Sequence, residues 1–378
     1  MSGLTEASLR TGQLAALAGL DLVTVARLRL LLAHHDPEEA YAVALGRARP
    51  DPLVAAALRG RVGAAWRHSA NRRDPETWAR RCAALEVRAI TPADEGFPAC
   101  LRCDPDPPAV LFVRGDLGAI EHRRVGIVGT RNASRFGRET AVELGHGLAT
   151  AGVAVVSGLA KGIDGAAHRG ALDAHGAAPV AVVANGHDRP YPRINAALWA
   201  SVAREGLVVS EWPPGTAPEA FRFPLRNRII AGLSEVLVVV ESRERGGSLI
   251  TAMAAVERGV DVFAVPGSPR VRSSLGTNRL LRDGASPLTE VADVLAALGI
   301  DHRRAGGAPY DPRPVPRGVE AAVLARCRDS PCTLDAVADA LDLAPGDAAM
   351  AVARLERSGW VRQAGGWFEA VGPWGGLA

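Results

Sequence analysis

The chain has 378 residues, 48% hydrophobic and 22% charged, which suits a globular protein with one sizeable core and excludes a disordered or low-complexity polymer. No apolar run reaches membrane-spanning length and the opening segment lacks a basic stretch followed by an apolar core, so a cytoplasmic protein without membrane contact is expected. A net charge of +3 selects no partner by itself, and five cysteines, an odd number in a long chain, argue against a disulfide framework.

Residues 1–80 space Leu14, Leu17, Leu20, Val23, Leu28 and Leu31 at helical intervals, with breaks at His35-Asp36-Pro37 and Arg49-Pro50-Asp51-Pro52. This predicts a small helical module, of the SAM or helix-hairpin type. A proline-rich approach follows, holding one short apolar strand, VLFV, and a lone Cys100-x-x-Cys103 pair that has no second pair at zinc-site spacing. No metal is expected.

From Arg124 the strands VGIVGT, VAVVSG, PVAVVAN, LVVS, EVLVVVE and VDVFAVPG alternate with helix-length segments. Apolar strands with little polar alternation belong to a parallel sheet covered on both faces. The fold class is α/β: an extended Rossmann-like, doubly wound parallel sheet over 81–300, flanked by the N-terminal helical module and a C-terminal winged-helix domain. A Pro- and Gly-rich linker is expected at 301–316. Residues 317–372 then spell helix, helix, turn, helix and a short hairpin, the winged-helix pattern.

Ligands of an open α/β sheet bind beyond the carboxyl ends of its strands. Three turns fall there: GTRNASRFG, SGLAKGIDGAAH and ESRERGGSLITA, each with glycines, hydroxyls and a cation at the start of a helix. Gly129, Thr130 and Arg131 come from the first, Ser157, Gly158 and Lys161 from the second, and Gly246, Gly247 and Ser248 from the third. Together they suggest a phosphate-binding rim. Lys161 is the sole lysine of the chain, and an ammonium at the mouth of a turn meets a phosphate as a point charge.

A fourth stretch, FRFPLRNR at 221–228, packs Arg222, Arg226 and Arg228 with Phe221 and Phe223 and contains no acid. Arginines neutralise phosphates while an aromatic face stacks a base without demanding a sequence, which suits a single nucleic-acid strand. The glycines lack G-x-G-x-x-G spacing, no acid ends the second strand, and no G-K-[ST] follows a glycine run, so no cofactor is expected. Asp164 and His168, four apart on one helix with no G-x-S-x-G nucleophile nearby, read as a packing pair.

Taken in order, VGIVGTRNASRFG, VVSGLAKGIDGAAHRGAL, DRPYPRIN, FPLRNRIIAGLSEVLVVVES, GGSLITA and VFAVPGS resemble the DNA processing protein A family (DprA, also called Smf) over about 90–290. The resemblance implies a non-enzymatic bacterial protein that binds single-stranded DNA, protects incoming strands in natural transformation and loads a RecA-type recombinase. It also implies a homodimer formed through the Rossmann-like domain. By position, Arg131, the turn from Ser157-Gly158 to Lys161, Phe223, Arg226, Asn227, Arg228 and Gly246-Gly247-Ser248 are implied to line the DNA pocket. The chain departs from the family with Gly246 where Arg-Ser-Gly-Ser is usual and with His187 after Gly186.

Two other function classes compete. Rossmann-type nucleotide phosphoribohydrolases of the lysine-decarboxylase-like group carry a catalytic Glu in a P-G-G-x-G-T-x-x-E loop, but here Thr251 and the residues to Ala255 stand where it would fall and Glu257 lies further along. A winged-helix regulator should present a basic module. Residues 317–370 instead hold six Arg and eight acids, net −2, which points to protein contact or a weak auxiliary role.

Overall fold

The computed structural model describes residues 4–300 and 313–371. The expected linker falls outside these residues as far as 312, and so does residue 372 of the expected terminal domain. The chain divides into two compact units, 1–306 and 307–378.

Six helices open the first unit: α1 (Glu6–Ala18), α2 (Val25–His34), α3 (Pro37–Leu45), α4 (Pro52–Ala57), α5 (Arg61–Ala70) and α6 (Pro75–Ala84). Three start by one device. Asp36, Asp51 and Asp74 each accept a first-turn amide while the following proline occupies the first helical position. The breaks in the hydrophobic pattern are therefore helix starts. Leu14, Leu17, Leu31 and Trp66 are fully buried here, and their core continues through Val87 and Ala89 into Val110 and Phe112. The helical module thus packs on the edge of the sheet, and α6 runs four residues beyond 80.

The sheet has nine strands: β1 (Arg88–Ile90), β2 (Leu111–Gly115), β3 (Arg123–Val128), β4 (Val153–Ser157), β5 (Val180–Val183), β6 (Leu207–Ser210), β7 (Val236–Val239), β8 (Asp261–Ala264) and β9 (Ser286–Pro287). Their order is β1-β2-β6-β5-β4-β3-β7-β8-β9, with β1 and β2 antiparallel at one edge and the rest parallel. VLFV is β2. The two-residue β9 and three-residue β1 are too short to show a period in the sequence.

Alternate strand residues serve opposite cores. Val153 and Val155 with Val236 and Val238 pack under α8 (Arg135–Thr150) and α9 (Ile163–Asp173), whereas Val156, Leu237 and Val239 pack under α11 (Arg222–Leu233) and α12 (Gly247–Val256). α7 (Ala99–Arg102) joins the second layer, and α10 (Ala196–Glu205) buries Trp199 and Val202 against Ala181 and Val183. Both faces are covered, which is why the strands read as unbroken apolar runs. α13 (Leu275–Arg282) and α14 (Val291–Ala297) complete the unit.

Strand order reverses at β3, which lies between β4 and β7. The loops after β3 and β7 therefore diverge and leave the crevice where open α/β sheets bind ligands.

The second unit contains α15 (Val319–Asp329), α16 (Leu334–Leu341), α17 (Pro345–Arg357) and a hairpin of β10 (Val361–Ala364) and β11 (Trp367–Ala370). Gly365 and Gly366, at φ +57° and +88°, make the two-residue turn, which needs positive φ at both positions. All five cysteines are free, and no cluster of three or more metal-ligating side chains occurs among the described residues. Nor is any described helix long and apolar enough to cross a membrane.

Candidate functional site

At the switch point the loop after β3, the turn between β4 and α9, the start of α11 and the start of α12 converge. None of α9, α11 and α12 is capped by a side chain of its N-cap residue. They frame a cavity of about 360 Å³ lined by Gly129, Thr130, Arg131, Phe223, Asn227, Gly246, Gly247 and Ser248, among others. A second cavity of about 220 Å³ shares Arg131 and Phe223 with it and adds Gly158, Lys161, Tyr191 and Pro192. Residues far apart in sequence thus form one continuous rim.

Arg131 and Lys161 are both exposed. The Arg131 guanidinium lies 4.6 Å from the centre of the Phe223 ring, and Tyr191 meets the same ring at 5.7 Å, tilted by 44°. An arginine resting on an aromatic face keeps its charge and can turn to a phosphate, freeing the ring for a base. Arg243 and Arg245 add further cations to the lining, in which Asp164 is the single acid.

Of the residues expected on the rim, Ser157 and Arg228 lie outside both cavities, while Arg226 and Ser248 line the larger one with polar groups bonded within the protein. Ser157 is fully buried and its Oγ donates to the Ile127 carbonyl at 2.5 Å, while the Ser248 Oγ is spent on Ser242 at 2.9 Å. Arg226 is 4% exposed; its Nη1 donates to the Val182 carbonyl at 2.7 Å, and burial pulls its pKa down to about 10. Arg228 sits on the other side of α11, held by Glu211 at 2.5 Å and Asp106 at 3.2 Å. Helical rotation separates Arg228 from the rest: Phe223, Arg226 and Asn227, three and four apart, share one face of α11 with Arg226 buried in it, whereas Arg228 projects to the other side.

Several glycines also act differently from the phosphate approach expected of them. A Cβ on Gly129 would meet the Ile163 side chain at 2.5 Å, and one on Gly162, whose φ is +88°, would meet the Thr130 carbonyl at 2.3 Å. These residues let the first two turns touch. A Cβ on Gly158 would fall on the Arg226 guanidinium, whereas Gly247 faces open space.

Beneath the rim, Asp164 is buried and accepts the amides of Ala160 and Gly158, so it braces the Lys161 turn from below. Burial pushes its carboxyl up, and the charge of Arg226 opposes this. Those two amides are consequently engaged by the protein. His168, read as half of a packing pair with Asp164, is fully buried and its Nε2 meets the Val180 carbonyl at 3.2 Å; burial lowers its pKa to about 4.

Sequence reasoning missed Tyr191 and Glu241. Tyr191 was legible only as an aromatic bracketed by prolines. Glu241, at the end of β7, is 9% exposed and accepts both the amide and the hydroxyl of Ser134, at 2.9 and 2.5 Å. It ties the first turn to the β7 loop across the switch point. An acid directly after an apolar strand was its one signal.

The family model for DNA recombination-mediator protein A matches residues 88–299, the sheet and every rim residue with it. The chain belongs to this family. Among its relatives, the DNA processing protein DprA of Bacillus subtilis is 40% identical over 213 residues, 56% of this chain and 71% of that protein. The DprA of Streptococcus pneumoniae is 42% identical over 203 residues, covering 54% and 71% respectively. The X-ray structure of the S. pneumoniae DprA superposes with a TM-score of 0.63 at 33% identity, over 76% of this chain and 95% of that one. DprA from Helicobacter pylori, whose structure is described as revealing a single-stranded DNA binding mode, matches with a TM-score of 0.52 at 26% identity over 56% and 95%.

Proposed function

We propose that this DprA-family chain binds single-stranded DNA without sequence preference and acts as a recombination mediator. Arg131 and Lys161 take backbone phosphates, and Phe223 with Tyr191 supplies a stacking platform. The observation that carries this reading is the Arg131–Phe223 contact at 4.6 Å beside the exposed Lys161: a cation and a ring at one point of an almost acid-free rim. The single-stranded DNA binding stated for the H. pylori relative supports it. Delivery of the strand to a RecA-type recombinase, a homodimer formed through the sheet domain and a cytoplasmic site of action belong to the same proposal, and rest on family membership.

The role is that of a binder and not of an enzyme. Hydrolysis of a nucleotide needs a carboxylate placed for acid-base work, yet the lining's Asp164 is committed to the amides beneath the turn and Thr251 is 2% exposed within α12.

Titration of a fluorescent oligo-dT strand and its duplex across a salt series tests the reading. The strand should bind more tightly than the duplex. Arg131→Ala and Lys161→Ala should each reduce the salt slope by about 0.7 for every phosphate left without its cation. Phe223→Ala should weaken binding by about 1–3 kcal/mol at unchanged slope. Mononucleotide binding without strand binding would overturn the proposal.

A further inference from the structure

A larger cleft, about 850 Å³, opens on the far side of α11, where the helical module meets the loop after β6. That volume lies in the ~300–1,000 Å³ range of small-ligand sites. Its wall exposes Phe221 by 58% and Leu225 by 48%, an apolar surface that nothing in the first unit covers among the described residues. Arg222 lies 4.9 Å from the Phe221 ring and has a buried Nε without a partner.

Charge in the cleft is asymmetric. The two acids of its lining are both paired, Glu211 with Arg228 at 2.5 Å and Asp106 with Arg228 and Arg29 at 3.2 Å each. Arg189, exposed at the cleft, makes no ion pair among the described residues, and Arg222 donates to the Ala217 carbonyl at 2.6 Å and pairs with the half-exposed Glu219 at 3.2 Å. The surplus is cationic and sits beside an open ring, the same pairing found on the rim.

The two sites are also adjacent. α11 gives Phe223 to the rim and Phe221 with Arg222 to the cleft; the loop after β5 gives Tyr191 to the rim and Arg189 to the cleft. The Cα atoms of residues two apart are separated by at most roughly 7 Å, so the two sites are built on the same short stretches of backbone.

We infer that the strand bound at the rim continues over the start of α11 into this cleft, with a base against Phe221 and phosphates on Arg189 and Arg222. The inference rests on the single-strand reading above, and it makes the helical module a wall of the binding path.

Full-length protein titrated with oligo-dT of about 6 and about 20 nucleotides, below and above the ~4–16-nucleotide footprint common for single-strand sites, tests it. Phe221→Ala and Arg189→Ala should each weaken binding of the long strand about tenfold and leave the short strand within about twofold. Retained short-strand binding also shows that the variants fold. Equal effects on both lengths, or none on either, overturn the inference while the rim survives. Failure of the unmodified protein to bind the short strand removes the single-strand reading and this inference together.

Discussion

The floor and the rim of the switch-point site are built from similar residue types with opposite purposes. On the floor, Arg226, Asp164, Ser157 and His168 are each at most 6% exposed and each is bonded to backbone groups of the protein, although the buried Arg226 Nε and His168 Nδ1 have no hydrogen bond among the described residues. On the rim, Arg131 and Lys161 face solvent and neither makes an ion pair among the described residues. A charge taken out of water needs fixed partners, and a charge kept for a ligand must not have them. The floor therefore holds the turns in place so that the rim can be left unsatisfied.

The sharpest way to break this division is Arg226→Met. It removes the donor to Val182 and leaves Asp164 without its compensating charge, so unfolding in denaturant should lose about 3–5 kcal/mol. Unchanged stability with lost strand binding would move Arg226 to the rim. Gly162→Ala should come next, at about 1–3 kcal/mol, because its φ of +88° disfavours a side chain and the Thr130 carbonyl occupies the space. Strand affinity should fall with it, since the first two turns must separate.

Rim substitutions should do the reverse. Arg131→Ala and Lys161→Ala should leave unfolding free energy within about 0.5 kcal/mol, while strand binding weakens and becomes less salt-dependent. A stability loss as large as that of Arg226→Met would erase the distinction.

The finest comparison is by pH, between two buried groups that shift away from their ordinary values. His168, at about 4 in the fold, stays neutral where an unfolded histidine is already charged; its contribution to stability is complete above pH 6.5 and is lost as pH falls toward 4. Glu211 is pushed up to about 7 because burial outweighs its pairing with Arg228. Its contribution is complete below about pH 4.5 and is lost as pH rises toward 7. The two windows overlap with opposite sign, so as pH rises from about 4.5 to 6.5 the unfolding free energy should fall more in His168→Gln, and rise more in Glu211→Gln, than in the unmodified protein; identical slopes in both variants would mean that neither proton is linked to folding.

Much of this architecture was legible in advance. The apolar strands at 123–128, 153–157, 180–183, 207–210, 236–239 and 261–264 declared a parallel sheet, because burial on both faces removes the polar alternation that would mark any other kind. The Asp-Pro pairs announced helix starts, and the turns at the strand ends pointed to the crevice that holds the candidate site. Rim membership of individual residues was not legible. FRFPLRNR shows three arginines and two phenylalanines in a row, yet 100° of rotation per residue sends Phe221 and Arg228 to a different cleft, and on the face that remains Phe223 reaches the rim while Arg226 is buried beneath it.

The sequence by itself determined the layers, the order of elements and the ends of the strands where a ligand belongs, since these follow from local periodicity and from chemistry carried by contiguous residues. Tertiary structure alone decided which charges are spent and which are free. Whether Gly158 admits a phosphate or only Arg226, and whether Ser157 faces a ligand or the Ile127 carbonyl, depends on atoms contributed by segments tens of residues away. No local pattern records that distance, because the energy of a buried polar group is set by its partners in space and not by its neighbours along the chain.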